Sequence, residues 1–365
     1  MSNVTGKFLI MAGGTGGHLF PALALARKLR DDGYEVEWIG SKDGFEGRYV
    51  LDEGLRLHNI SIKGLRGKGA LSWLLAPVNV IKAVSQARRI IKISKPDCVI
   101  GMGGFAAGPG GIAAWLSKKP LVIHEQNAVA GLTNKILFYF SKQVLQAFPN
   151  AFAKQHDKLK VTGNPVRIEM TVLDEYEQRK QNRPQNSSLN LLVLGGSQGA
   201  EAINEVVAPA IATMSFENVP MLWHQAGKGK DDSTRNLYEK YAINAIVEDF
   251  IDDMAAAYAW ADLVICRSGA LTVAELAAVG VGSILVPYPQ AVDDHQAKNA
   301  EYLVSAGAAI MIRQTILEPK LLAQKLDQIT ADPKKLITMA KQARSVGLPN
   351  SLELVASHCK KIISQ

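Results

Sequence analysis

The chain has 365 residues, 47% of them hydrophobic, and its 41 basic and 34 acidic side chains leave a formal net charge of +7. That length and apolar content suit two ordinary domains, each with its own core, and exclude a disordered or low-complexity chain. A modest basic excess is compatible with nucleic acid, anionic lipid or phosphorylated substrates, but no Lys/Arg tract resembles a nucleic-acid arm and aromatic residues are sparse at 7%.

In chain order, the first half alternates strand and helix. Residues 8–12 read as a strand, and 21–30 as a helix with Leu23, Leu25, Ala26 and Leu29 turned inward and Pro21 near its first turn. Residues 35–40 alternate like a strand, and 78–93 form an amphipathic helix with Lys82, Arg88, Arg89 and Lys92 on its wet side. Residues 97–101 and 121–124 read as buried strands, and 143–147 and 160–163 as the last strands of this unit. Such βαβ repetition predicts a parallel sheet with right-handed crossovers. A hinge is placed at Asn164-Pro165, where proline stops the chain. Residues 177–188, a polar stretch, read as a solvated helix end and loop. The second half repeats the plan, with strands at 189–194, 221–225, 244–247, 262–266 and 283–286. Its helices are read at 200–214, 254–260, 271–279, 295–306 and 351–363, the last turning Leu352, Val355, Ala356 and Ile362 inward.

Cys98, Cys266 and Cys359 are too far apart for a zinc motif or a disulfide framework. Cys98 and Cys266 read as small buried hydrophobes, and the usage fits a reducing cytoplasm. The N-terminus runs straight into a strand, so no signal peptide is expected. The apolar stretch 71–81 is short of the ~20 residues that a membrane span needs.

Two glycine-rich loops carry the strongest chemical signal. Gly13-Gly14-Thr15-Gly16-Gly17-His18 and Gly195-Gly196-Ser197-Gln198-Gly199-Ala200 each follow an apolar strand and open a helix. Such a turn aims backbone N–H groups and a helix dipole at one point, which suits a phosphate. Two of them imply twin Rossmann-like domains facing a shared cleft. The spacing is not that of a dinucleotide fingerprint, and no clear acidic residue ends the second strand, since Glu35 and Glu37 lie within it.

His18 stands at a positive helix end, which disfavours imidazolium, so it reads as a general base, a phosphate-orienting group or a helix-entry residue bonded to a nearby carbonyl. Gly103, Gly104 and Phe105 with Gly108-Pro109-Gly110-Gly111 form a third glycine-dense loop, either a second anion cradle or tight packing of helix on sheet. Glu125 and Asn127 end a strand where open parallel sheets place ligand groups, though Asn127 could equally cap the next helix. Glu275, one turn into a helix opened by Arg267-Ser268-Gly269, could hold ribose hydroxyls or close a capping box with Thr272. Asp293 and Asp294 read as helix caps rather than metal ligands, with Gln296 available to a sugar hydroxyl. Lys63, Arg66 and Lys68 beside Leu71, Trp73, Leu74 and Leu75 read as a peripheral membrane site or as a mobile loop and core helix.

Taken in order, GGTGGHLFPALALA, IKGLRGKG, GMGGFAAGPGG, HEQNAVAGLTNK, TGNPVR, GGSQGA, FIDDMAAAYAWADLVICRSGALTVAEL and DDHQAKNA resemble the MurG family of glycosyltransferases over nearly the whole chain. That resemblance implies an α/β GT-B fold, two Rossmann-like doubly wound parallel-sheet domains separated by a deep cleft. The boundaries expected are 1–164 plus 347–365 for an acceptor and membrane-association domain and 165–346 for a donor domain, the last helix crossing back to the first. It implies inverting transfer of N-acetylglucosamine from UDP-GlcNAc to the C4 hydroxyl of undecaprenyl-pyrophosphoryl-MurNAc-pentapeptide, in peptidoglycan synthesis at the cytoplasmic face of the cell membrane. Matching motifs place donor contacts at Thr15, Gly16, Gly17, Asn127, Arg167, Ser197, Ile251, Ala270, Leu271, Thr272, Val273, Ala274, Glu275 and Gln296. Ile251 would meet the uracil edge through its backbone, Glu275 the ribose and Ser197 the pyrophosphate. Acceptor contacts fall at Gly103, Gly104 and Phe105; many relatives carry Tyr at the last, so no hydroxyl is assumed there.

His18 is the preferred base and Glu125 the second choice. No DxD-like metal site stands out, so neither a metal nor another cofactor is expected. Expected partners are the two substrates, an anionic membrane surface and cell-wall synthesis proteins, with no nucleic acid. A UDP-GlcNAc 2-epimerase, a diacylglycerol glycosyltransferase and a non-catalytic scaffold are the alternatives.

Overall fold

A computed structural model describes residues 6–13, 16–41, 45–61, 76–181, 183, 188–196, 198–214 and 219–364. The chain divides into two compact units, Met1–Arg167 with Asn350–Gln365, and Ile168–Pro349.

The first unit is built on a seven-stranded sheet. Its strands are β1 (Lys7–Met11), β2 (Glu35–Gly40), β3 (Arg56–Asn59), β4 (Cys98–Gly101), β5 (Leu121–Glu125), β6 (Gln143–Gln146) and β7 (Leu159–Val161). The order is β3-β2-β1-β4-β5-β6-β7 and every pair is parallel. Central strands covered on both faces must be apolar throughout. The sequence of β1, KFLIM, meets that demand, and Phe8, Leu9, Ile10 and Met11 are fully buried.

Helix Gly16–Asp31 buries Leu19, Leu23, Leu25, Ala26 and Leu29 against one face. Helix Ser351–Ile363 adds Val355, Ala356, Cys359 and Ile362 to the same core and is tied to the first helix by Lys360–Asp32 at 2.6 Å and Lys28–Glu353 at 2.8 Å. The other face is closed by helices Ala76–Ser94 and Ala107–Leu116. Residues 108–111, read from sequence as loop, lie inside helix Ala107–Leu116. A side chain at Gly110 would overlap the Met11 sulfur and one at Gly111 would come 2.7 Å from Leu137, so these glycines let a helix lie directly on its neighbours rather than cradle an anion.

The second unit repeats the topology with six parallel strands: β8 (Asn190–Leu194), β9 (Met221–Gln225), β10 (Ala245–Glu248), β11 (Leu263–Cys266), β12 (Gly282–Leu285) and β13 (Ala309–Met311). Their order is β10-β9-β8-β11-β12-β13. The polar stretch read as solvated is partly buried. Helix Tyr176–Gln181 buries Arg179, whose guanidinium donates to the carbonyls of Tyr258 (2.7 Å), Ala259 (3.2 Å) and Gly280 (3.2 Å). Desolvation pulls its pKa down to about 10, and the carbonyl oxygens compensate the buried charge.

Candidate active site

In each sheet the strand order reverses at one point, between β1 and β4 in the first unit and between β8 and β11 in the second. There the crossovers leave in opposite directions, and in open α/β sheets it is at the carboxyl ends of the strands beside such a point that ligands bind. The described residues of the motifs singled out in the sequence follow there: Gly13 and Gly16 after β1, 102–106 after β4, 195–196 and 198–200 after β8 and 267–269 after β11.

In the first unit the two loops are pressed together. Met102 donates its N–H to the Met11 carbonyl at 2.8 Å, and the Trp38 indole N–H donates to the Ala12 carbonyl at 3.0 Å. Gly103 (φ +99°) lies under the His18 ring, where a Cβ would stand 2.7 Å from Cε1. A Cβ at Gly104 (φ +79°) would overlap the Gly13 backbone. Both positions need glycine on two counts, space and a left-handed backbone. Phe105 stands beside them, half exposed. His18 is in the first turn of helix Gly16–Asp31, and its Nδ1 is 2.5 Å from Oε1 of Gln126.

The end of β5 supplies the other wall. His124 is fully buried, and its Nε2–H donates to the Gly163 carbonyl at 2.9 Å. Burial pushes its pKa down to about 4, the neighbouring His18 lowers it further and the Gly163 carbonyl opposes. It is therefore a neutral ring at physiological pH.

Glu125 turns to the opposite face of the strand, as alternation requires. Its Oε1 accepts from the Asn127 N–H (2.9 Å) and Nδ2 (3.4 Å), and its Oε2 from the Gly131 N–H (3.1 Å) and Asn134 Nδ2 (2.8 Å). A carboxylate so surrounded by donors organises residues 126–131. Asn127 does not cap the next helix, whose N-cap is Gly131.

In the second unit the N-cap of helix Ala270–Val279 is Gly269, which makes no side-chain cap bond. Thr272 is already inside the helix, so the capping box with Glu275 does not form. Instead the buried Glu275 carboxylate accepts the Tyr258 hydroxyl at 3.1 Å. Ser268, just before the helix, is fully buried, and its Oγ has no hydrogen-bond partner among the described residues. Arg267 donates to the carbonyls of Val286 (3.1 Å) and Pro287 (3.3 Å) and to Gln314 Oε1 (2.6 Å), which pins the strand-end loop opposite. Gln296 Oε1 accepts the Tyr288 N–H at 2.9 Å and braces the same loop. Asp294 occupies the N-cap position of helix His295–Ser305 but does not cap it; with φ +52° its carboxylate is drawn to Arg313 at 2.8 Å.

The structure thus gathers His18, Gly103, Gly104 and Gln126 in one place, with Gly16 and Gly17 at the same helix start. It gathers residues 270–275 and Tyr258 in another. Ile251 is buried, and Arg167 is exposed at the end of the first unit. Thr15, Ser197, Lys63, Arg66, Lys68, Leu71, Trp73, Leu74 and Leu75 lie outside the described residues. Gln126, Asn134 and Tyr258 are not singled out by sequence, and Asn164 is singled out only as a hinge. The polar run ending β5 pointed toward the first, but nothing local marks the others. Among the described residues, no group of three or more His, Cys, Asp or Glu stands together as a metal site would.

The N-terminal domain of glycosyltransferase family 28 matches residues 8–146, and its C-terminal domain matches residues 190–355. A UDP-N-acetylglucosamine–N-acetylmuramyl-(pentapeptide) pyrophosphoryl-undecaprenol N-acetylglucosamine transferase of Marinobacter nauticus is 52% identical over 353 residues, spanning 97% of this chain and 96% of that one. The crystal structure of Acinetobacter baumannii MurG superimposes with a TM-score of 0.82 at 39% identity, covering 98% of this chain and 99% of the other. The UDP-GlcNAc 2-epimerase of Neisseria meningitidis shares the fold alone, with a TM-score of 0.65 at 12% identity over 97% of this chain and 99% of that one. By near-full-length identity, by both domain matches and by the paired switch-point loops, the chain belongs to glycosyltransferase family 28 and, within it, to the MurG family.

Proposed function

We propose that the protein transfers N-acetylglucosamine from UDP-GlcNAc to the C4 hydroxyl of undecaprenyl-pyrophosphoryl-MurNAc-pentapeptide, with inversion at the anomeric carbon. The observation that carries the reading is the glycine-opened helix starts at two switch points, in a chain half identical to a transferase of that name. The 2-epimerase alternative rests on fold alone.

In this reading the second unit holds the donor. The start of helix Ala270–Val279 offers N–H groups and its dipole to the diphosphate, Glu275 holds the ribose, and the backbone at Ile251 meets uracil. The first unit holds the acceptor, with Gly103, Gly104 and Phe105 near its pyrophosphate or sugar. His18 takes the C4 hydroxyl proton as that oxygen attacks the anomeric carbon. The bond from that carbon to the diphosphate oxygen breaks, and the electron pair leaves with UDP. Stabilising that departing charge by prepositioned amides is the larger electrostatic effect. Asn127, Arg167 and Gln296 are assigned as further donor contacts, Gln296 through its Nε2 because its Oε1 is engaged.

Attachment to an anionic membrane surface is part of the same proposal. No helix among the described residues is long and apolar enough to cross a membrane. Helix Ala76–Ser94 exposes Val78 and Ile81 one turn apart, with Lys82, Arg88 and Arg89 also exposed. The neighbouring helix ends in exposed Trp115 and Leu116, followed by Lys118. Apolar wedges flanked by cations suit the headgroup boundary.

The decisive experiment incubates the protein with radiolabelled UDP-GlcNAc and the lipid monosaccharide acceptor and identifies the product. A labelled lipid disaccharide is expected. Sugar isomerisation or release without acceptor would instead favour the epimerase. Vesicles containing phosphatidylglycerol should retain the native protein more strongly than a Val78→Ser/Ile81→Ser variant.

A further inference from the structure

His18 can act as a base at Nε2 only if its single proton sits on Nδ1, and free imidazole in water does not enforce that choice. The ring nitrogen that carries the proton is set by what the other nitrogen meets. Here Nδ1 meets the Gln126 side-chain oxygen at 2.5 Å. With the amide oxygen at Nδ1, which accepts only, Nδ1 donates and the lone pair is left on Nε2; the Gln126 Nε2 is buried with no hydrogen-bond partner among the described residues.

The Gln126 backbone is itself held. Its side chain is buried, and its backbone carbonyl accepts Asn164 Nδ2 at 3.0 Å. The Asn164 carbonyl in turn accepts the Ser351 hydroxyl at 2.6 Å. Ser351 is fully buried at the start of the last helix. The Gly103 backbone packs against the His18 ring, where a Cβ would stand 2.7 Å from Cε1. His124, the other titratable ring beside His18, donates to Gly163 and carries no charge at neutral pH, so it does not compete for the Gln126 oxygen.

We infer that Gln126, whose backbone Asn164 and Ser351 anchor, is a positioning residue that fixes His18 in the Nδ1–H tautomer and so leaves Nε2 as the proton acceptor. This rests on the assignment of His18 as base.

The test is nitrogen-15 NMR of the full-length protein labelled at histidine, at a pH where His18 is neutral, with His18→Gln used to identify its signals. The native protein should show Nδ1 protonated and Nε2 bare. Gln126→Leu should move the proton largely to Nε2 and lower kcat about 10- to 100-fold, with KM for UDP-GlcNAc changed less than about threefold. Gln126→Glu keeps an acceptor at Nδ1 and should restore the native tautomer. Nε2–H in the native protein, or an unchanged Nδ1–H in a folded Gln126→Leu variant, overturns the inference. A tautomer shift in Gln126→Leu with unchanged kcat sustains the positioning role and instead refutes His18 as the base, so the two readings fail separately.

Discussion

Asn134 Nδ2 donates to Glu125 Oε2 at 2.8 Å, and that bond joins a helix to the strand end that precedes it by a loop. With the Gly131 and Asn127 amides on the same carboxylate, it defines the path of residues 126–131. Glu125→Gln replaces an acceptor by an N–H₂ group facing donors. It should destabilise the protein by about 1–3 kcal/mol, the scale of leaving buried donors unsatisfied, and lower kcat indirectly. Urea denaturation read beside kcat checks this. Native stability with kcat alone lost would return Glu125 to the role of base.

His18→Ala should cut kcat by about 10²–10⁴, the usual range for a general base, and leave donor affinity near its native value. Calorimetric titration of UDP-GlcNAc beside saturation kinetics separates the two quantities. Lost affinity with kcat intact would make His18 a binding residue.

Gly103→Ala places a methyl group against the His18 ring at a positive φ. The expected penalty is about 1–3 kcal/mol of backbone strain plus a displaced ring, so kcat should fall further than thermal stability alone accounts for. Gly131→Ala is the control, because nothing lies within 4 Å of its Cβ position and its φ is −68°. Equal behaviour of the two variants would contradict the close packing under His18.

Glu275→Gln should weaken UDP-GlcNAc by about tenfold, the value of one charge-assisted hydrogen bond, with little change in kcat at saturation. Tyr258→Phe removes the hydroxyl that the carboxylate accepts and should show a smaller loss in the same direction. Calorimetry on both variants tests the order.

Acid should begin to weaken the fold as pH falls below about 6.5, the ordinary imidazole value. His124 and His224 are buried neutral, with pKa values pushed down by desolvation from 6.5 to about 4 and about 3. Between those values and 6.5 the unfolded chain binds more protons. Their contribution is therefore complete above pH 6.5 and declines as pH falls toward 4, by up to about 1.4 kcal/mol per unit for each ring. Denaturation midpoints at pH 7.5, 5.5 and 4.5 measure it, and a flat profile over that window would refute it.

Much of the fold was legible because parallel sheets buried on both faces demand continuous apolar strands, as in residues 8–12 and 191–194. The short β3 (Arg56–Asn59) and β13 (Ala309–Met311) escaped notice, as did helices Asp231–Lys240, Pro319–Thr330 and Pro333–Val346. RLHN at the sheet edge carries too little apolar pattern to read as a strand. The glycine loops and His18 stand out in sequence for a similar reason, since residue type and position after a strand are local features. Asn134, Asn164, Ser351 and Tyr258 do not, because each matters only through a partner distant in sequence. Asp294 was misread as a helix cap because local spacing knows nothing of Arg313.

Sequence by itself determined the βαβ rhythm, the two glycine-opened helix starts and the family likeness, all of which follow from short-range periodicity and local backbone demands. Only the tertiary structure decided which polar groups meet. It gave Glu125 to Asn134 and the loop amides, Glu275 to Tyr258 and His18 to Gln126, because buried donors and acceptors must be paired in space and the fold chooses the partner.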